Sequence, residues 1–387
     1  MKVIIFQENL SKKVSFLSRA LPTKTPAISS LNNFLFSAKE NEIRIFASNL
    51  DTTIVSTATG KVFQEGEVLI NAKTLISFLS SLAGEKIVIE GDEKKVKIEG
   101  GKTKIVLKTE NPNDFPVPEE KDLEGGKTTP KGLFEEAMKK VCFAASTDEA
   151  RGALTGVFFE PEEKGLNVVA TDGFRLSLLQ KKEKSPAFSS SLIIPAKTVF
   201  DICSIAQEEG VEDINIKIIG GGKQIVFSTK ETKLYSRLVE GDFPNYKKII
   251  PENKGIKITF NRDELLRAVK IASIFAKDGA NIVKLQTGES GLFLYASSPQ
   301  TGENQTQLEA KIEGEKDLNI AFNFRFLLDF LNSSEEEEVL LQTTGPLSPG
   351  VFRSVKKERK AHTSIIAQSG PLPKAGREED QERAIKQ

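Results

Sequence analysis

Ile70-Asn71-Ala72-Lys73-Thr74-Leu75-Ile76-Ser77-Phe78-Leu79 is a phrase that the chain writes three times. It returns as Ile194-Pro195-Ala196-Lys197-Thr198-Val199-Phe200-Asp201-Ile202-Cys203, and again as Phe322-Asn323-Phe324-Arg325-Phe326-Leu327-Leu328-Asp329-Phe330-Leu331. The steps between copies are 124 and 128 residues, about the size of one domain. One slot carries Lys73, Lys197 and Arg325, and a slot two residues on carries the apolar Leu75, Val199 and Leu327. A domain written three times with a cation held in register points to a long, anionic ligand.

The rest of the chain is consistent with three such domains. Its 387 residues fit roughly two to four domains, and the period selects three. With 39% hydrophobic and 28% charged residues, each copy has enough apolar material for its own core. No run approaches the ~20 apolar residues of a membrane span, and Met1-Lys2-Val3-Ile4-Ile5-Phe6 lacks a secretory layout. Cys142 and Cys203 are isolated, so neither a disulfide framework nor a zinc pattern is expected, and a reducing cytoplasm is. His362 is the only histidine, which removes most hydrolase and metal constellations. Neither a metal nor a cofactor is expected. Lysine plus arginine equals aspartate plus glutamate, 54 each. That excludes a surface basic all over but leaves room for cations gathered on one face.

Each copy opens with an amphipathic helix. Leu10, Val14, Leu17 and Leu21 form the first apolar stripe, with Lys12 and Arg19 away from it and Pro22 at its end. The second, Pro130 to Ser146, turns Leu133, Ala137, Val141 and Ala144 inward and Lys139 and Lys140 outward. The third starts at the N-cap Asn261, with Leu265, Val269 and Ala272 inward and Arg267 and Lys270 outward. Strand pairs follow: 35–38 with 43–47, 157–159 with 166–170, and 283–285 with 292–296. The threefold phrase is then a second helix, and more strands close each copy. Lys73, Lys197 and Arg325 fall in the first turn of that helix, where the macrodipole disfavours a cation by a few tenths of a kcal/mol. An external anion at all three would offset the penalty. Without a base-reading motif beside them, the expected contact is phosphate.

The segment Ala170-Thr171-Asp172-Gly173-Phe174-Arg175-Leu176, supported by Phe243-Pro244-Asn245-Tyr246-Lys247-Lys248-Ile249-Ile250-Pro251 and by Asn323 to Leu331, resembles the bacterial DNA sliding clamps, the beta subunits of DNA polymerase III. The resemblance covers roughly residues 1–355. It implies an α+β fold of three repeated clamp domains, with helices lining a central hole, antiparallel sheets outside, and two copies head to tail in a ring. The domains would be 1–120, 128–250 and 255–366, followed by a polar tail, 367–387, expected to be disordered. The implied function is non-catalytic: the ring encircles double-stranded DNA without sequence preference and tethers the polymerase catalytic subunit, the clamp loader and other proteins bearing a clamp-binding motif. Carried over position by position, the partner-peptide pocket is Leu154, Thr171, Gly173, Phe174, Arg175, Leu176, Pro244, Lys248 and Ile249. Phe174 stands where histidine is common in the family, which makes the rim more apolar. The DNA-facing cations would be Arg19, Lys24, Lys73, Arg151, Lys197 and Arg325. The homodimer contact would set Ile105 and Leu107 of one edge strand against Ile274 and Phe275. Ile274 and Phe275 also read as ordinary core residues at a helix end.

The end of the chain departs from the family. The match persists to Phe352 and gives way to Lys356-Lys357-Glu358-Arg359-Lys360, without the Met-Pro-x-Arg-like closing strand that forms one pocket wall. A divergent C-terminal sequence and a disturbed reading frame both account for this. Thr363-Ser364-Ile365-Ile366 could serve as a short final strand; a genuine tail predicts a pocket short of one wall. Two other classes remain as alternatives. An enzyme with paired carboxylates would use Asp51, Asp172 and Asp242, which fall in different repeats without acid/base partners. A repeat-built scaffold binding only proteins would leave the cation slot incidental.

Overall fold

A computed structural model describes residues 1–82, 84–92, 94–119, 125–183, 185, 187–251, 255–277, 280–288, 291–314, 318–354 and 361–366. The expected tail, 367–387, lies outside the described residues, as does 355–360. The six α-helices among them are α1 (Gln7–Leu17), α2 (Ala72–Ser80), α3 (Gly132–Lys140), α4 (Ala196–Glu208), α5 (Arg262–Ala276) and α6 (Phe324–Ser333). The threefold phrase thus forms α2, α4 and α6, each entered directly from a strand. Leu75, Val199 and Leu327 are all buried, as one side of an amphipathic helix requires.

The chain folds as two compact units. One comprises Met1–Phe134 with Lys197–Leu238; the other comprises Glu135–Ala196 and the chain from Val239 on. The central repeat is therefore divided between them. In the first unit, a five-stranded antiparallel sheet runs in the order Gly60–Gln64, Lys2–Phe6, Lys86–Gly91, Lys95–Gly100, Thr103–Lys108. An eight-stranded sheet joins two repeats where Thr52–Ala58 pairs with Thr232–Arg237, Ile54 opposite Leu234. Ser56 and Thr232 share a hydroxyl hydrogen bond of 2.8 Å at this seam. Pairing one repeat's edge with the next removes exposed strand edges from both. Beside the seam, Lys13 of α1 is buried and its Nζ lies 2.5 Å from Glu231 and 3.7 Å from Glu209. Its position beside the Val14 stripe gave no sign of this, because the partners come from another repeat.

The second unit repeats the plan. Its nine-stranded sheet carries the central-repeat strands Gly156–Glu162, Gly165–Thr171 and Arg175–Lys181 onto the C-terminal strands Ala361–Ile366, Gly350–Ser354, Glu338–Thr343 and Ile256–Asn261. The junction is Ala361–Ile366, paired on one side with Arg175–Lys181 and on the other with Gly350–Ser354. A four-stranded sheet ends at Gly302–Leu308. α5 and α6 bury Leu265, Val269, Ala272, Leu327, Phe330 and Leu331 in one cluster with these sheets; each of these side chains larger than alanine contributes about 1.5–3 kcal/mol. Asn261 caps α5 by accepting the Glu264 N–H at 3.0 Å.

One helix reading needs correction. Lys139 is exposed, but Lys140 is buried, its Nζ 3.9 Å from Glu335. Lys140 lies within α3, seven residues after Leu133 and three after Ala137, so the helical period itself puts it on the buried stripe, and the outward reading followed its charge instead.

Candidate nucleic-acid interface and peptide pocket

The cation slot is one geometry with two electrostatic settings. Asn71 caps α2 through the Thr74 N–H and Asn323 caps α6 through the Arg325 N–H, both at 3.0 Å. Lys73 and Arg325, each the second residue of its helix, are exposed and have no ion-pair partner among the described residues. Lys197 differs. Its Nζ donates to Asp201 Oδ2 at 2.9 Å and to the Arg19 carbonyl at 2.6 Å, while Arg19 Nη1 lies 3.4 Å from Asp201 Oδ1. Asp201 is buried, so this copy meets its first-turn penalty with an internal carboxylate one turn on. The expectation that an external anion offsets all three cations therefore holds no force for Lys197. Arg19 and Lys197 meet on one carboxylate and retain one net positive charge. Lys24 is exposed in the loop after Pro22.

Arg151 belongs with a different group. Its Nη1 donates to the Asp172 carbonyl at 2.5 Å, and its guanidinium lies 5.4 Å from the Phe174 ring centroid. Asp148 is 3.8 Å away. These contacts make it a strut of the 171–175 turn, not a loose loop cation.

The turn itself is fully bonded. Asp172 Oδ1 accepts the Phe174 and Arg175 N–H groups, both at 2.9 Å. Thr171 Oγ1 accepts the Gly173 N–H at 3.1 Å and donates to the Arg175 carbonyl at 2.6 Å. Gly173 sits at φ +86°, where a side chain is disfavoured. The homologous turn in the first repeat has three of these bonds: Asn49 Oδ1 accepts from Asp51 and Thr52, and Ser48 Oγ from Leu50, while the Ser48 hydroxyl pairs with that of Thr53 at 2.7 Å. There Leu50 takes φ +77°, a conformation costing an L-residue roughly 1–2 kcal/mol. Only the second copy places glycine at this point.

Arg175 is an anchor more than a pocket wall. It bonds Asp172 at 3.1 Å, the Phe143 carbonyl at 2.5 Å and Asp329, with its guanidinium 4.6 Å from the Phe326 centroid. Phe174 remains 36% exposed. Leu176 joins Val169, Leu178, Tyr246 and Val351 in a buried cluster against which Ile249 packs. Pro244 is half-buried and Lys248 exposed. Leu154 is half-buried, its carbonyl accepting the Ser146 N–H at 2.8 Å. The closing strand sets Ile365 opposite both Leu176 and Val351 in register.

Tyr246, which sequence reading passed over, holds the 243–250 loop in place. Its hydroxyl donates to Glu160 at 2.5 Å and accepts from Asn167 at 2.9 Å. Lys247 reaches Glu162 at 2.6 Å, and Phe243 stacks on Phe158 at 4.8 Å. A tyrosine beside Lys247 and Lys248, in a loop otherwise mostly apolar, was the available signal.

Of the expected dimer residues, Ile105 and Leu107 are half-buried on Thr103–Lys108, an edge strand of its sheet. Between them Val106 is 56% exposed on the opposite face. Ile274 is 59% exposed, whereas Phe275 packs against the core of its unit. Ile271, three residues before Ile274 on α5, is also exposed and was missed.

Among the described residues no cluster of His, Cys, Asp and Glu could hold a metal, and no helix is long and apolar enough to cross a membrane. Three family models match in order: DNA polymerase III beta subunit N-terminal domain over residues 1–119, central domain over 128–245 and C-terminal domain over 247–367. A beta sliding clamp from Staphylococcus aureus is 26% identical over 334 residues, 84% of this chain and 88% of that protein. The crystal structure of the DNA polymerase III beta subunit from Thermotoga maritima superposes with a TM-score of 0.85 at 28% identity, covering 95% of this chain and 98% of that one. The sliding clamp from Bacillus subtilis gives 0.86 at 26% identity, with coverage of 95% and 98%.

Proposed function

The chain belongs to the DNA polymerase III beta subunit family, the bacterial sliding clamps, and on that premise we propose that it is a non-catalytic processivity factor. Two copies close head to tail into a ring around duplex DNA, and the ring tethers the replicative polymerase and other partners in the cytoplasm. Residues 1–120, 128–250 and 255–366 are its three clamp domains. Lys73, Arg325 and the Arg19–Lys197 pair face phosphate, with Lys24 nearby in function if not in contact. Topological linkage supplies persistence, so each phosphate contact stays weak enough to slide. The open edge Thr103–Lys108 and exposed Ile274 provide the subunit contact. Phe174, Leu176, Pro244 and Ile249 form the apolar part of a partner-peptide pocket, rimmed by Leu154, Thr171, Gly173 and Lys248 and braced by Arg175. Single peptides bind there at about micromolar affinity.

The observation that carries this reading is the first-turn cation of α2 and α6, exposed and without an ion-pair partner among the described residues, at the same slot in two repeats. Such a placement is electrostatically unfavourable unless an anion approaches. Duplex affinity measured across a salt series tests it. Lys73→Ala with Arg325→Ala should flatten the dependence of log affinity on log salt by about one unit per cation removed. An unchanged slope contradicts the assignment.

A further inference from the structure

A cleft of about 1190 Å³ in the second unit lies on its nine-stranded sheet. It shares no residue with the partner-peptide pocket. Leu178 lines it where Leu176 lines the pocket, and Gln180 carries it further along the same strand, some 7–13 Å from Leu176 at ~3.3 Å per residue. Its floor is apolar, closed by Leu178, Tyr246 and Val351, with Ile250 and Pro251 half-buried on one wall.

Its rim is cationic out of proportion to a chain of zero net charge. Six lysines and arginines line it against two carboxylates, Glu162 and Glu163. Lys247 is held by Glu160 and Glu162, and Lys181 by Glu136 at 2.8 Å. Lys164, Lys182, Lys257 and Arg353 form no ion pair among the described residues. Arg353 donates to Gln342 at 2.5 Å and Lys257 lies near enough to Glu313 to act on its carboxylate, but neither is neutralised by a close ion pair among the described residues. Cations not neutralised along a concave, partly apolar surface raise the local potential and favour an anionic ligand. The floor offers aliphatic groups and one tyrosine, whose ring already lies 5.8 Å from Lys247 Nζ. That is poor provision for stacked bases. It suits an extended peptide whose side chains alternate faces.

We propose that this cleft docks an acidic peptide segment of a partner protein, carboxylates on Lys164, Lys182, Lys257 and Arg353 and aliphatic side chains on Ile250 and Pro251. The interaction is separate from the peptide pocket, so one partner could engage both and gain avidity.

The test uses the full chain and a fluorescein-labelled peptide of about ten residues, alternating glutamate and leucine, that would span about 33 Å when extended. Lys164 and Lys182 are both exposed, so K164E/K182E should fold normally, as its thermal transition will show. Binding should weaken on the order of tenfold in that variant, while Phe174→Ala leaves it unchanged and a lysine–leucine peptide fails to bind. Equal affinity for the wild type and K164E/K182E overturns the proposal. Loss on Phe174→Ala instead places the peptide in the partner pocket and overturns it too. Displacement by a single-stranded oligonucleotide of equal charge at equal concentration makes the cleft a nucleic-acid site. Stronger binding after removal of 367–387 assigns it to the chain's own C-terminal segment.

Discussion

Burial pushes the Tyr246 phenol above the ordinary tyrosine range, and the hydrogen bond to Glu160 pushes it further. For Glu160, burial acts to raise the carboxyl, but hydrogen bonds from Tyr246, Lys247 and Asn167 outweigh it and hold the group below 4.5. A depressed carboxylate stabilises the fold above its unfolded value and loses that contribution as pH falls through the folded one. A raised phenol contributes below its unfolded value, about 10, and loses this as pH climbs through the folded one. Tyr246→Phe should therefore cost about 1–3 kcal/mol in denaturant unfolding at neutral pH. The difference from wild type should shrink below about pH 4; a constant difference into acid would contradict the Glu160 pairing. The DNA-facing residues make a second prediction. Lys197→Ala should reduce the salt slope of duplex binding less than Lys73→Ala does, because Asp201 already neutralises part of its charge. Equal reductions would contradict this. The shared slot of Lys73, Lys197 and Arg325 was legible from the repeat, but the inequality was not. Asp201 lies in the quoted phrase, yet its burial and its second partner, Arg19, come from tertiary packing.

At the level of elements, the edge strand Thr103–Lys108 leaves Val106 exposed and α5 leaves Ile271 and Ile274 exposed. Three consecutive apolar residues, Ile105-Val106-Leu107, must place at least one on each face of a strand, which is the signal that sequence reading underused. Val106→Glu combined with Ile274→Glu should shift the protein from dimer to monomer in sedimentation equilibrium, with little loss of thermal stability. A dimer that persists would move the subunit contact elsewhere. The closing strand is the element least legible in advance. Thr363-Ser364-Ile365-Ile366 has neither the family's proline nor its methionine, yet 361–366 occupies the position between Arg175–Lys181 and Gly350–Ser354. Backbone pairing needs no particular side chains, so the strand survives a change that erased the motif. Ile365→Pro, which removes a backbone N–H from the strand paired with both Arg175–Lys181 and Gly350–Ser354, should weaken a partner peptide on the order of tenfold in a fluorescence titration. Unchanged affinity would show that the wall is supplied elsewhere.

Across the whole molecule, sequence and structure divide the chain differently, and both divisions are informative. The period near 126 residues marks repeats, because each repeat writes its own helix phrase. The compact units cut the central repeat in two, because its strand Thr232–Arg237 pairs with Thr52–Ala58 while Arg175–Lys181 pairs with Ala361–Ile366. Edge-to-edge pairing leaves no periodic trace in a sequence, so three domains were readable and their merging into shared sheets was not. Zero net charge fits a clamp that holds DNA by enclosure, with local cations and no general attraction. Enclosure also sets the decisive measurement. The protein is loaded onto circular duplex DNA, freed of unbound protein by gel filtration at moderate salt, and followed after the circle is cut once. The account predicts retention on the intact circle and rapid loss from the linear product. Equal retention on both forms would contradict it.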